Sequence, residues 1–310
     1  MSSIRWCGGK NDELPVDRWG KGAWVETVSI LIPCYNDGKH LLETLDSIWA
    51  QTWQNVEVII ADDGSEDKRT IDLLAEVERD GRCRVCHLAH QGPAAARNEA
   101  LALAKGEYIL PLDADDLIEP EYIQKAVEIL KSDSLIGVCY CRADCFGVVQ
   151  GEWDLPEFSV EQMLVDNVIF VSAVIRRTVF VQARGYDEAF KAGLEDYDFY
   201  LTVIENGWKF HRIPEILFHY RIKEKSRTHG FFNSESEYFK TYRRIYEKHE
   251  TLFIQHAQLL IPKLREQIFT QRREIDRLNV QMISNRPLWL RRLCRAVKKA
   301  YGVVKAMLIS

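Results

Sequence analysis

The 310-residue chain contains no uninterrupted apolar run of about 18 residues, the minimum for a helix that crosses a bilayer, so no membrane-spanning segment is expected. Its first 25 residues, MSSIRWCGGKNDELPVDRWGKGAWV, mix charges and glycines throughout and lack the continuous apolar core of a secretory signal. Export is not expected. Basic charge is in short supply: 41 Lys and Arg stand against 46 Asp and Glu, a formal net charge of −5, which gives no reason to expect nucleic acid as a partner. A complete zinc pattern is missing from the eight cysteines. Cys83 and Cys86 form a C-x-x-C, but in a β-like run (RVCHL) where positions three apart face opposite sides, and Cys139, Cys141 and Cys145 form no ligand pattern. Buried, reduced thiols are expected in place of zinc.

Acidic residues are absent from one segment. From Arg286 to the end there are seven Lys or Arg and no Asp or Glu, although the whole chain is acidic. Leu290, Leu293, Val297, Ala300, Val304 and Met307 fall on one helical face, and Arg291, Arg295, Lys298 and Lys305 on the other. With Trp289 near its start, a basic amphipathic helix over 287–310 suits an anionic membrane interface; the alternative is a terminal helix docked on the protein or on a twin subunit. Before it, Ile261, Leu264, Ile268, Ile275, Leu278 and Met282 follow a heptad with Gln271 as the one polar d position, so 257–284 is a candidate coiled coil and a route to a homo-oligomer.

What is present is enough for a substantial core, with 46% hydrophobic residues, one large domain and a smaller appendage. VSILIP (28–33) and VEVIIA (56–61) read as strands, with a helix in GKHLLETLDSIWAQ between them. The alternation continues through a helix at 69–79, a strand at 84–88, a helix at 93–104 and a strand at 107–112. The expected class is α/β, a mostly parallel sheet with flanking helices, followed by helical patterns after about residue 225.

In open sheets of this kind ligands gather beyond the carboxyl ends of the strands. Three polar motifs stand there: PCYND (33–37), DDGS (62–65) and DADD (113–116). The last puts three aspartates within four positions, an arrangement that repulsion makes costly unless something positive sits among them. Asp113 and Asp115, at i and i+2 in a turn, can share a divalent cation, whose open positions suit phosphate oxygens. Clustered aspartates at strand ends also make Asx-turns and helix caps; Asp116 is a candidate cap, and Asp62 a candidate Asx-turn before Gly64.

VSILIPCYND, VEVIIADDGS, GPAAARNEALALAKGEYILPLDADD and LEDYDFYL, in this order, resemble the family 2 glycosyltransferases of the GT-A fold over roughly residues 27–228. That leaves 1–26 as an N-terminal extension and 229–310 as a C-terminal helical region. The resemblance implies a nucleoside pocket lined by Pro33, Tyr35 and Asp63, with Asp63 toward the base, Arg97 near the nucleotide, Asp113 at the ribose or sugar and Asp115 on a metal, Mn²⁺ or Mg²⁺. Asp37 joins the donor-binding set. A carboxylate can accept the ring N–H of uracil, and an aromatic ring offers it a stacking surface. Arg97 admits a second reading, a solvated helix residue.

Attack by an acceptor hydroxyl on an anomeric carbon requires removal of its proton and stabilisation of the departing diphosphate. LEDYDFY offers Glu195, Asp196 and Asp198 at a helix start, where acids also complement the helix dipole. The resemblance selects Asp196 as base, in an inverting transfer, with Glu195 beside it to orient the acceptor and Asp198 as a structural acid. GYDE (185–188) looks like an acceptor-side segment, which makes Asp187 a candidate. HYRIKEKS resembles the family's Y-R-x-H-x-x-S, except that Lys223 stands where a histidine is common; an ammonium cannot ligate a metal but can pair with phosphate.

The Q-x-x-R-W of processive, membrane-spanning relatives is absent, so one sugar per encounter is expected. The implied activity is metal-dependent transfer from a nucleotide sugar, UDP-linked by expectation, to a glycan or lipid-linked acceptor in surface polysaccharide or glycoconjugate assembly. The expected location is cytoplasmic, peripheral on the inner face of the membrane. Two rival readings are a sugar nucleotidyltransferase, against which PCYNDGKH supplies little of the usual glycine- and basic-rich phosphate loop, and an inactive GT-A assembly protein, against which the D-x-D and E-D motifs are intact.

Overall fold

The computed structural model describes residues 25–191, 193–224 and 234–284. Its first half alternates strand and helix as the apolar spacing predicts: β1 (Val25–Cys34), α1 (Leu41–Trp49), β2 (Val56–Asp62), α2 (Lys68–Asp80), β3 (Cys83–His87), α3 (Pro93–Leu103) and β4 (Gly106–Pro111). Val28, Ile30, Leu31 and Ile32 of β1 are all fully buried, on both faces of the strand. A strand covered by helices on both sides reads as a continuous apolar run for this reason. α1 buries Leu41, Thr44, Leu45 and Ile48, the three-and-four spacing of one helical stripe. α2 is capped by Asp67, whose side chain accepts from Thr70 N, and stopped by Gly81 in a left-handed conformation.

The second half is β5 (Leu117–Ile118), α4 (Tyr122–Ser132), β6 (Ile136–Gly147), β7 (Gly151–Trp153), α5 (Val160–Val165), β8 (Val174–Arg176), α6 (Arg177–Ala183), α7 (Glu195–Glu205) and β9 (Lys209–Ile222). All strands join one sheet in the order β3-β2-β1-β4-β8-β6-β9-β5, with β7 on β6. β3, β2, β1 and β4 are mutually parallel, as are β6 and β9; β8 pairs antiparallel with both β4 and β6. Register places Cys34 opposite Asp62 and Leu31 opposite Pro111, so the three acidic motifs leave the sheet along one edge.

Beyond β9 lie α8 (Glu235–Lys248), α9 (Glu250–Gln255) and α10 (Ala257–Ser284). One compact unit runs to Ile254, so α8 belongs with the sheet; a second begins at Gln255. On α10, Ile261, Leu264, Ile268, Ile275 and Leu278 are exposed. The side chain of Met282 and the basic segment 287–310 lie outside the described residues. Among the described residues no helix is long and apolar enough to cross a membrane. The six described cysteines are free: Cys34, Cys83, Cys139 and Cys141 are buried, and burial pushes their thiols up.

Candidate active site

An open cavity of about 420 Å³ sits where the parallel strands end. Pro33, Tyr35, Asp37, Asp63, Arg97, Asp113, Asp115 and Lys223 all line it, and so do His90 and Arg221. The turn after β1 is held by Asn36 at φ 55°, whose side-chain oxygen accepts from the backbone N–H groups of Glu66 and Asp67, both at 2.8 Å. Asparagine tolerates this left-handed geometry, and the clip ties the first motif to the second. Tyr35 is left exposed at the rim, stacked on His90 at 4.2 Å between ring centroids.

After β2 the two aspartates divide their work. Asp62 accepts from Ser65 N at 2.9 Å, the expected Asx-turn, and from His87 Nδ1 at 2.9 Å. Asp63 is buried and accepts from Gln91 N at 2.8 Å and Gly92 N at 2.9 Å, which fixes its carboxylate on the cavity wall. Gly64 at φ 76° leaves its Cβ position 3.1 Å from His90 N, so the backbone of the 88–90 segment can approach only a glycine.

The repulsion in the third motif is answered in part by cations: Arg97 meets Asp113 and Lys223 meets Asp115, while the Asp116 carboxyl receives a backbone N–H. Arg97, 1% exposed, donates to Asp113 Oδ1 at 2.5 Å and to Glu195 Oε1 at 2.8 Å. Burial works against the charge on Arg97, but the two carboxylates outweigh it and its proton is held more tightly than in an ordinary arginine. The solvated-helix reading of Arg97 is therefore wrong: α3 turns this residue inward among alanines that leave room for it. Lys223 donates to Asp37 Oδ2 at 2.7 Å and lies 2.7 Å from Asp115 Oδ2. Arg221 bonds the carbonyl of Asp115 at 2.7 Å through Nε, while its backbone N–H donates to Asp116 at 2.9 Å.

Even so, Asp115 is pushed up to about 6, first by burial and then by Asp113, against the pull of Lys223. Asp116, 1% exposed, is raised well above the carboxylate range by burial and by both neighbouring aspartates. Asp116 is not a helix cap; α4 begins at Tyr122, and the Asp116 carboxyl instead ties the turn to β9.

The E-D motif stands behind Arg97. Glu195 is buried; Asp196, half-buried, accepts from Asn167 Nδ2 at 3.0 Å. Neither Glu195, Asp196 nor Asp187 is a wall of the cavity. Tyr186 connects the groups: Arg97 lies over its ring at 5.7 Å, and Asn98, next to Arg97 on α3, exchanges two hydrogen bonds with its backbone at 2.8 and 2.9 Å. The phenol of Tyr186 is raised above its ordinary value, by burial most of all, with Asp196, Glu195 and Asp113 adding to it. Asp198 is buried and paired with Lys248 at 2.8 Å and His249 at 3.1 Å, a structural role; Lys248 also reaches Asp187 at 3.1 Å.

A model of glycosyl transferase family 2 matches residues 29–190, just over half of the chain and most of the sheet that builds this cavity. The chain belongs to that family. The chain is 34% identical over 148 residues to glycosyltransferase GlyG of Streptococcus pneumoniae, a match covering 46% of this chain and 49% of GlyG. It thus spans about half the length of that relative. It is 29% identical over 200 residues to hyaluronan synthase of Pasteurella multocida, covering 63% of this chain and 20% of the synthase. Among solved structures it resembles S. aureus TarS in complex with UDP-GlcNAc, with a TM-score of 0.59 and 20% identity over 74% of this chain and 66% of that one, a likeness of fold. The nucleotidyltransferase alternative gives way to this membership.

Sequence reasoning missed His90 and Arg221 as cavity residues, and Asn98 and Lys248 as braces. Arg221 sits inside the quoted HYRIKEKS and His90 two residues before the start of the GPAAARN motif, so position along the motif was the available signal. Lys248 carried none, because α8 returns to the site only through tertiary packing.

Proposed function

We propose that the cavity binds a UDP-linked sugar and that Asp196 acts as general base in an inverting transfer of one sugar to an acceptor hydroxyl. The observation that carries this reading is Arg97, which joins the acidic turn of the donor cavity to the E-D motif through one buried guanidinium. Asp63 retains acceptor capacity beyond the two backbone N–H groups it already receives and the His90 imidazole, whose Nδ1 lies 2.9 Å from Oδ2, enough for the ring N–H of a uracil. Tyr35 offers an exposed ring beside it. TarS, of the same fold, has been crystallised with UDP-GlcNAc, which supports this donor class.

Asp113 and Asp115 fit a divalent cation, Mn²⁺ or Mg²⁺, as hard oxygen donors on one turn, and the raised proton affinity of Asp115 is the electrostatic tension such an ion relieves. Among the described residues no group of three ligands stands ready, so the donor's phosphates or water must complete the coordination. When bound, the ion supplies charge stabilisation for the departing diphosphate. The protein's own groups do the rest. Asp196 takes the hydroxyl proton as the acceptor oxygen bonds to the anomeric carbon and the bond to the diphosphate breaks, with Lys223 and Arg97 facing the negative charge that leaves. Glu195 orients the acceptor side, where Asp187 also belongs.

The whole protein's task, on this reading, is surface polysaccharide or glycoconjugate assembly on glycan or lipid-linked acceptors, in keeping with relatives such as hyaluronan synthase. Residues 27–228 form the catalytic region, braced by Lys248 of α8; within 229–310 the exposed apolar positions of α10 serve pairing between copies, and 287–310 attachment to anionic lipid at the cytoplasmic face of the membrane. Incubation of the full chain with UDP-, GDP- and CDP-linked sugars and Mn²⁺, with release of nucleoside diphosphate as the readout, tests the reaction. UDP-sugar turnover that falls in Asp115→Ala is expected; full-rate turnover in that variant sinks the metal assignment.

A further inference from the structure

We infer that Lys223 is the resident cation of the donor site and keeps a divalent ion off the free protein, so that the ion is taken up only together with the donor's diphosphate. This rests on the metal and donor reading above. Lys223 Nζ stands 2.7 Å from Asp115 Oδ2 and 2.7 Å from Asp37 Oδ2, between two carboxylates contributed by different strand ends. An ammonium has three donors and no lone pair, so it occupies a carboxylate without ever ligating a metal beside it. Asp113, the other carboxylate of the pair, carries Arg97 on Oδ1.

In the free protein each of the two candidate metal ligands therefore already faces a protein cation. A divalent ion arriving alone meets like charge from both, at separations where such repulsion is large even in a half-polar site. A diphosphate reverses the balance. It brings negative charge that Lys223 can pair with, and oxygens that complete the metal's shell.

The local build favours this exchange. Lys223 follows directly on β9, whose Arg221 is anchored to the aspartate turn through Asp115 O at 2.7 Å and Asp116 Oδ1 at 2.9 Å. The root of the lysine is thus fixed beside the turn, while its four-carbon stem, with the side chain 30% exposed, is free to carry the ammonium from Asp115 to a phosphate in the same cavity. Arg97, fully buried and gripped by two carboxylates, has no such freedom.

Equilibrium dialysis of Mn²⁺ against the full chain, with and without UDP at equal free concentration in both chambers, tests the inference on the wild type, on the neutral variants Lys223→Met and Lys223→Gln, and on the charge-keeping Lys223→Arg. Without UDP, the wild type and Lys223→Arg are expected to take up Mn²⁺ weakly, and the neutral variants about ten-fold or more tightly than they do. UDP is expected to raise uptake by the wild type at least ten-fold and to change the neutral variants much less. Equal Mn²⁺ affinity of neutral variants and wild type, with UDP-linked uptake intact, overturns the role of Lys223 and leaves the metal reading standing. Lys223→Arg behaving like Lys223→Met also overturns it, since packing and not charge would then be responsible. No uptake by any protein, with or without UDP, overturns the metal reading and this inference together.

Discussion

Asp113 and Glu195 share a single guanidinium, that of Arg97, which reaches the first at 2.5 Å and the second at 2.8 Å from a position 1% exposed to solvent. Donor turn and E-D motif are thereby held in one electrostatic unit, and their relative placement depends on a residue of neither.

Arg97→Met is expected to destabilise the protein by about 3 kcal/mol or more in urea unfolding, because removing one partner of a buried ionic triad leaves uncompensated charge. Adding Glu195→Gln to it removes one of the stranded charges and should recover part of the loss. If the double variant is as unstable as the sum of its two single variants, the triad is not coupled.

Asp196→Asn tests the base. Loss of a general base costs roughly 10²–10⁴ in kcat. UDP affinity, measured by calorimetry, should stay within about two-fold of wild type, since Asp196 lies outside the donor cavity. A variant that binds UDP poorly yet turns over normally when saturated would place this carboxylate on the donor instead.

Asp62 gives a pH prediction. Burial alone would raise its carboxyl, but hydrogen bonds from Ser65 and His87 outweigh burial and leave it below the ordinary aspartate value of 3.8. A depressed folded-state value stabilises the protein above the unfolded value and loses that contribution as pH falls through the folded one. Asp62→Asn should therefore cost about 1 kcal/mol at neutral pH and progressively less as the pH falls below about 4, in thermal melts taken across that range.

Lys248 pairs with both Asp187 and Asp198, so Lys248→Met is expected to loosen the 185–190 segment from α7 and to cost about 2 kcal/mol. The Asp187 carboxyl is raised by burial but brought below its ordinary value by the N–H of Ala189 and by Lys248. Carbon-detected NMR titration should show it moving upward in the variant; an unchanged Asp187 would mean that Ala189 and Arg244, 3.7 Å from its Oδ2, hold it without Lys248.

Much of the parallel half was legible because its signals are local. The strand at 56–61 and the helix at 69–79 differ from β2 and α2 by a single residue at their ends, since β-branched runs, three-and-four spacing and the Asp67 and Gly81 stops all act over a few positions. The polar motifs at the strand ends were readable for the same reason: a parallel sheet with short connections must deliver them to one edge. The inward turn of Arg97 was not readable, because apolar helix context is equally consistent with a solvated arginine until carboxylates from two other segments surround it. Asp116 was misassigned on similar grounds; its partner, the N–H of Arg221, lies at the far end of the domain's sequence.

By itself the amino-acid order determined the alternation of strands and helices, the acidic motifs and the edge on which they meet, because these follow from periodicity and from the direction of the chain. Tertiary structure alone decided which cation answers which carboxylate: Arg97 for Asp113 and Glu195, Lys223 for Asp37 and Asp115, Lys248 for Asp187 and Asp198. Charge pairing acts over a few ångströms of space and is indifferent to distance along the chain, so no local pattern announces it.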